Sequence, residues 1–307
     1  MLIKIKKRIE KQLPVFISWL DRSYHLNRIS PLLFKHIKEY ALRNGKRVRP
    51  TLFILAYHGY AKKELPGLYT SSLSLELLHD FMLVHDDIID KSDFRRRKPA
   101  MHVLFNKYLK KYKNIKITGE DLSIVAGDIM YAMSIHAFLA VKTDKTNKEK
   151  ALKKLMEAAF YTGTGEFIEL LYGSKPVKMI SQSDIYQIYD LKTACYTFAT
   201  PLAAGAALAG SRDEEINKLF NYGICLGRAF QIKDDILGIF ADEKKIGKSV
   251  MSDLREHKKT LLIWHAYRKA GKQGKKTIEQ LMSKRKYRNA DLLRIRKLML
   301  ETGTVNF

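Results

Sequence analysis

The sequence predicts an all-α fold, a single domain over residues 1–307, and three observations carry that expectation. Long segments place apolar residues three and four apart, as in LLHDFMLVHDDIID and YGICLGRAFQIKDDILGIF, which is the helical period. Alternating runs joined by Asn-Gly or Asp-Gly turns are nearly absent; Asn44-Gly45 is followed by KRVRP and not by a second alternating run. No linker, composition shift or fixed-period repeat divides the chain, and 46% hydrophobic residues over 307 positions suffice for a sizeable core.

In order along the chain, the first stretch, MLIKIKKRIEKQLPVFISWL, interleaves lysines with apolar residues and carries Pro14 inside its apolar run, unlike a signal peptide. Helix breaks are expected at Pro66-Gly67, Arg97 to Ala100, Lys142 to Lys148, Gly173 to Pro176 and Ser211 to Asp213. Phe198 to Gly210 is apolar but too short to span a membrane, and its Ala and Gly residues let two helices approach closely. The final basic pieces, SKRKYR and RIRK, read as exposed helix faces. Two cysteines, Cys195 and Cys225, exclude a disulfide scaffold and a four-cysteine zinc site, so a cytoplasmic location is expected.

Charge narrows the partner. Lys and Arg number 56 against 32 Asp and Glu, a net charge of +24, which points to an anionic partner. The last 66 residues hold 18 Lys and Arg against 7 Asp and Glu. Weak attraction to an anionic membrane fits this excess. Nucleic-acid binding is not expected, because SKRKYR has only Tyr287 as an aromatic and no nucleic-acid motif is present.

The sharpest feature is HDDIID, with Asp86, Asp87 and Asp90. Asp86 and Asp90 stand one turn apart on one helix face, in an otherwise apolar segment. Carboxylates so placed repel each other and lose hydration; a divalent cation removes the conflict, and hard oxygen ligands suit magnesium. A second pair, Asp234 and Asp235, ends another apolar helix. Magnesium held by few carboxylates completes its shell with substrate phosphates, so a polyphosphate ester is implied. Cations accompany both clusters: Lys46, Arg47 and Arg49 in GKRVRP, Arg95, Arg96 and Arg97 after the first, Lys192-Thr193 opening an apolar helix, and Lys248 and Lys258 after the second.

These motifs, with Ala126-Gly127-Asp128 and Phe230-Gln231, occur in an order that resembles the trans-isoprenyl diphosphate synthases (polyprenyl synthetases), from GKRVRP to KKTLL, roughly residues 40–265. The resemblance implies an isoprenoid synthase helical bundle around a deep central cavity, homodimeric, with about three magnesium ions. It implies that Asp86, Asp90 and Asp234 ligate metal, with Asp87 and Asp235 in the same set. Arg95, Lys192, Lys248 and Lys258 would hold the allylic diphosphate; Lys46, Arg49, His79 and Arg96 would hold isopentenyl diphosphate. Thr193 and Gln231 would line the path of the carbocation. The absence of a Ser-His-Asp or Cys-His nucleophile agrees with such chemistry.

In that family, bulky residues before the first motif stop chain growth; here they are Phe81 and Met82, which look like those of geranylgeranyl diphosphate synthases. A farnesyl diphosphate synthase is the alternative, and a non-catalytic subunit needing a partner chain is a third. Departures from the family pattern are Glu166 and Glu169 for shorter polar groups, Arg97 and His257 where glycine is common, Gly238 in the second motif, and a chain that stops short of the family's final helices. A terpene cyclase is disfavoured by Lys46, Arg49 and His79, and a His-Asp phosphohydrolase needs neither tandem aspartates nor Lys192-Thr193.

Overall fold

Helices form nearly all the regular structure among the described residues, as the periodicity predicts. The computed structural model describes residues 1–241, 254, 256–284 and 286–307. The chain groups into two compact units: residues 1–156 with 200–219, and residues 157–199 with 220–307.

The first unit begins with α1 (Leu2–Tyr24), whose buried face, Ile5, Ile9, Leu13, Phe16, Ile17 and Leu20, repeats every three or four residues. Pro14 lies inside this helix without ending it. Then come α2 (Leu26–Ile29), α3 (Pro31–Ala41), α4 (Val48–Tyr60) and α5 (Leu68–Ile89). Gly67 at φ 81 begins α5, and a Cβ there would lie 2.2 Å from the Ala140 carbonyl oxygen, so Pro66-Gly67 is the break expected. The stretch from Leu68 to Leu78 is buried almost all round, and α5 packs along α7 (Gly119–Leu139), which Thr118 and Asp121 start with a capping box. Among the described residues α7 alone is long and apolar enough to cross a membrane; 44% of its apolar window is buried inside the protein.

Between α5 and α6 (Met101–Leu109), where the sequence predicts a helix break at Arg97 to Ala100, the structure has a two-stranded hairpin, β1 (Phe94–Arg95) and β2 (Lys98–Pro99). Its turn residues Arg96 and Arg97 are left-handed, at φ 53 and 61, the geometry a two-residue hairpin turn demands. His257 is also left-handed, at φ 55. Two positions flagged as common glycine sites therefore do require glycine's conformation, and each side chain there costs on the order of 1–2 kcal/mol. Arg43 holds the hairpin: its buried guanidinium donates to the carbonyls of Arg95 (3.2 Å) and Pro99 (2.9 Å) and to Glu39 (2.8 Å).

The helix α10 (Thr200–Leu208) lies against α4. A Cβ on Gly205 would sit 2.3 Å from the Phe53 carbonyl oxygen, so the small residues of this segment permit the close approach expected of them.

The second unit contains the latter part of α8 (Lys145–Gly173), α9 (Gln182–Ile188), a π-helical stretch Tyr189–Ala199, and most of α11 (Asp213–Phe240). Lys192 and Thr193 do not open a helix as expected; they lie inside the π-helical stretch, a form that recurs at functional sites. Cβ atoms on Gly223 and Gly227 would come within 2.4 Å of Ala199 and 2.3 Å of Ala194, respectively, so α11 lies tight against that stretch. The chain continues through α12 (Leu261–Lys269), α13 (Lys272–Met282) and α14 (Asn289–Glu301). RIRK lies in α14, but the described residues of SKRKYR, 283–284 and 286–288, lie between α13 and α14 and not in a helix, and Tyr287 is buried with its hydroxyl donating to the Leu281 carbonyl at 2.8 Å. The aromatic ring leaves the surface because it fills the core of this unit.

Candidate active site

The last two turns of α5 present the first aspartate cluster, within the first unit. Asp86 and Asp90 are partly exposed and one turn apart, the Asp90 amide donating to the Asp86 carbonyl at 2.8 Å. Asp87 points the other way and is wholly buried. Arg95 Nε donates to its Oδ1 at 2.6 Å and the Tyr40 hydroxyl to its Oδ2 at 3.3 Å. Burial pushes the Asp87 carboxyl up against the pull of Arg95. Burial also works against the Arg95 charge, yet Asp87 and Asp86 hold that guanidinium above its ordinary value. A second Arg95 nitrogen reaches Asp86 Oδ2 at 3.1 Å. The three aspartates thus divide by helical phase: Asp86 and Asp90 remain on the accessible face, and Asp87 anchors the helix end to the hairpin and α3.

Cations cluster beside them. Lys46 is exposed, while Arg49, His79 and Arg96 are partly buried. Arg47, grouped with the phosphate-binding cations on sequence, is buried, ion-paired with Glu76 and donates to the Arg43 carbonyl at 2.7 Å. Arg96 Nη2 lies 3.3 Å from the same Glu76 oxygen and 3.5 Å from Asp80 Oδ1. Burial, then the charges of Arg49 and Arg96, depress His79 well below its usual value, so it is neutral at neutral pH. Burial and the Glu76 carboxylate push Asp80 up to about 8.

Phe81 stacks edge-on to His85, with ring centres 4.7 Å apart, and lies 5.2 Å from the Tyr131 ring. Gly127 of α7 makes room for this group: a Cβ there would meet His85 Nε2 at 2.5 Å. Met82 is partly exposed on the same helix.

In the second unit, a chain of hydrogen bonds fixes the second cluster. Thr193 Oγ1 donates to Gln231 Oε1 at 2.7 Å, and Gln231 Nε2 donates to Asp235 Oδ1 at 2.8 Å. The Tyr189 hydroxyl donates to Asp235 Oδ2 and accepts from the Leu261 amide at 3.0 Å. Asp235 is buried and Asp234 exposed, which repeats the division seen at Asp86 and Asp87. Lys192 Nζ pairs with Glu166 at 2.6 Å and Glu169 at 2.5 Å, so both departures at those positions converge on one cation. Lys258 pairs with Glu256. Its neighbour Lys259 donates to the carbonyls of Gly173 and His257, each at 2.9 Å, and burial pulls it down to about 8. Lys248 lies outside the described residues.

The sequence reading does not single out Glu76, Asp80, Arg43, Tyr40 or Tyr189. Glu76 and Asp80 stand four apart in an apolar stretch, the spacing that marks Asp86 and Asp90, so a signal for them exists. The tyrosines carry none, because only the fold brings them to an aspartate.

Comparison with known proteins bears on the family and the fold. The polyprenyl synthetase family model matches residues 30–299. A short chain isoprenyl diphosphate synthase of Methanocaldococcus jannaschii is 30% identical over 288 residues, covering 94% of this chain and 79% of that protein. A geranylgeranyl diphosphate synthase of Saccharolobus solfataricus is 31% identical over 265 residues, covering 83% of this chain and 72% of that protein. The crystal structure of geranylgeranyl pyrophosphate synthase from Corynebacterium glutamicum, complexed with isoprenyl diphosphate and magnesium, superposes with a TM-score of 0.87 at 26% identity, covering 99% of this chain and 88% of that one. The ordered motifs, the all-α fold and a family match over most of the length agree, and the chain belongs to the polyprenyl synthetase family.

Proposed function

We propose that this chain is a magnesium-dependent trans-prenyltransferase that condenses isopentenyl diphosphate with an allylic diphosphate to form geranylgeranyl diphosphate. One observation carries the reading beyond family membership. Asp87 and Asp235 are buried, each against a protein donor, while Asp86 and Asp90 are partly exposed and Asp234 is exposed. Hard, partly exposed carboxylates one turn apart fit magnesium. Asp86, Asp90 and Asp234 are the ligands in this proposal; Asp87 and Asp235 orient them. Bound magnesium supplies charge neutralisation for the departing diphosphate.

The chain's own residues do the rest. Arg95, Lys192 and Lys258, with Lys248, hold the allylic diphosphate and stabilise the charge that builds up as it leaves. Lys46, Arg49, His79 and Arg96 hold isopentenyl diphosphate. A neutral His79 accepts or donates a hydrogen bond without adding charge. The Thr193 and Gln231 oxygens, set by Asp235, face developing positive charge as dipoles. The isopentenyl double bond attacks the allylic carbon, and the proton lost passes to the released diphosphate. A single domain over residues 1–307, a homodimer, about three metal ions and a cytoplasmic location belong to the same proposal. The single domain draws support from the interleaving of the two units along the sequence.

Incubating purified protein with isopentenyl and farnesyl diphosphates and magnesium, then chromatographing the dephosphorylated alcohols, tests the reading. Geranylgeraniol as main product supports it, and farnesol alone from shorter primers points to a farnesyl diphosphate synthase. Phe81→Ala removes the ring packed between His85 and Tyr131, and longer alcohols are expected from it. An unchanged product distribution would place the floor of the site elsewhere. The pairing of Lys192 with both Glu166 and Glu169 favours a second reading, a subunit active only with a partner chain; a folded protein with no condensation by itself would support that one.

A further inference from the structure

Asp80 is an acidic group beside the cations of the first unit that the proposed reaction leaves without a task. It is wholly buried, and neither of its carboxylate oxygens accepts a hydrogen bond among the described residues. An ionised carboxylate in such a place ordinarily collects several donors. Its near neighbour is Arg96 Nη2, 3.5 Å from Oδ1, too far for a hydrogen bond and close enough for an ion pair. The Arg96 guanidinium is confined: it packs against Gly45, where a Cβ would lie 3.5 Å from its carbon, and donates to the Arg43 carbonyl at 3.4 Å and to Glu76 at 3.3 Å. Glu76 in turn is already paired with Arg47.

From this arrangement we infer that Asp80 is a positioning residue for Arg96. It keeps its carboxyl proton while a diphosphate group is bound, and it competes for the guanidinium once that proton is lost. The inference rests on Arg96 being a ligand of isopentenyl diphosphate. Charged and titratable groups face Asp80 from each neighbouring element: Glu76 and His79 on its own helix, Arg47 and Arg49 at the start of α4, Arg95 and Arg96 on the hairpin, and Tyr40 on α3. Arginines stay charged throughout the working range, Tyr40 is held above its usual value, and His79 is held well below its own. Burial and Glu76 bring Asp80 to about 8, so Asp80 changes charge between pH 7 and 9.

The sign follows from linkage. The free site loses the proton as pH rises through about 8, whereas a bound anion retains it, so affinity for the anion falls as pH rises. The test is KM for isopentenyl diphosphate from pH 7 to 9 in the wild type and in Asp80→Asn, with circular dichroism to establish folding. The expected result is a rise of about tenfold in the wild type and a flatter profile in the variant. A rise of equal size in both proteins, or a flat profile in the wild type alone, overturns the assignment. If no condensation occurs, calorimetric affinity for isopentenyl diphosphate over the same pH range reads the same difference. Absence of both turnover and binding removes the reading of the site, and the role of Asp80 with it.

Discussion

Replacing Asp86 or Asp90 with alanine is expected to lower kcat by about 10²–10³-fold or more while the fold persists, since each substitution removes charge stabilisation that matters in the transition state. Both residues lie on the partly exposed face of the last turns of α5, where truncation leaves no cavity. Arg95 keeps Asp87 when Asp86 is lost. The melting temperature should therefore move by less than about 3 °C. Asp87→Ala should do the reverse, because it leaves Arg95 and Tyr40 without their shared buried acceptor. Steady-state turnover at saturating magnesium, alongside thermal melts of the three variants, separates the roles. Condensation by Asp86→Ala or Asp90→Ala at the parent rate would remove both from the metal site.

The largest effect on stability is expected at Arg47, a residue whose sequence context suggests phosphate binding. Arg47→Met strands the Glu76 carboxylate, which is buried and among the described residues keeps Arg96 at 3.3 Å. Removing one partner of a buried ion pair costs about 3–5 kcal/mol. The double variant Arg47→Met with Glu76→Leu should regain much of that loss, since no buried charge is then left alone. Urea unfolding of the single and double variants decides the matter. A loss under about 1 kcal/mol for the single change would mean that Arg47 is solvated and free to serve a ligand.

The helical class was legible because periodicity is a local property: the buried face of α1 can be read from Ile5, Ile9, Leu13 and Phe16 one turn at a time. So were most of the breaks, set by Gly67 and the Gly173 to Pro176 segment. The hairpin at Phe94–Pro99 was not legible. Its strands are two residues long, and its turn uses left-handed arginines in place of the Asn-Gly that announces such a turn. The non-helical course of residues 286–288 escaped for a related reason: burial of Tyr287, a tertiary contact, outweighs the helical character of its basic neighbours.

The same distinction applies at the site. Sequence by itself determined the chemistry on offer, which is paired carboxylates at two helix ends, cations after each, and Phe81 one turn before the first pair, because residue type and spacing along one helix suffice for that. The tertiary structure sets which member of each pair is buried among protein donors and which stays accessible to solvent. Asp87 meets Arg95 and Tyr40, Asp235 meets Tyr189 and Gln231, and Arg47 meets Glu76. Most of those partners are 29 to 47 residues away in the chain. Spacing along a helix can place a carboxylate on a face, but the packing of other elements determines whether that face is buried against a donor or left open to a ligand.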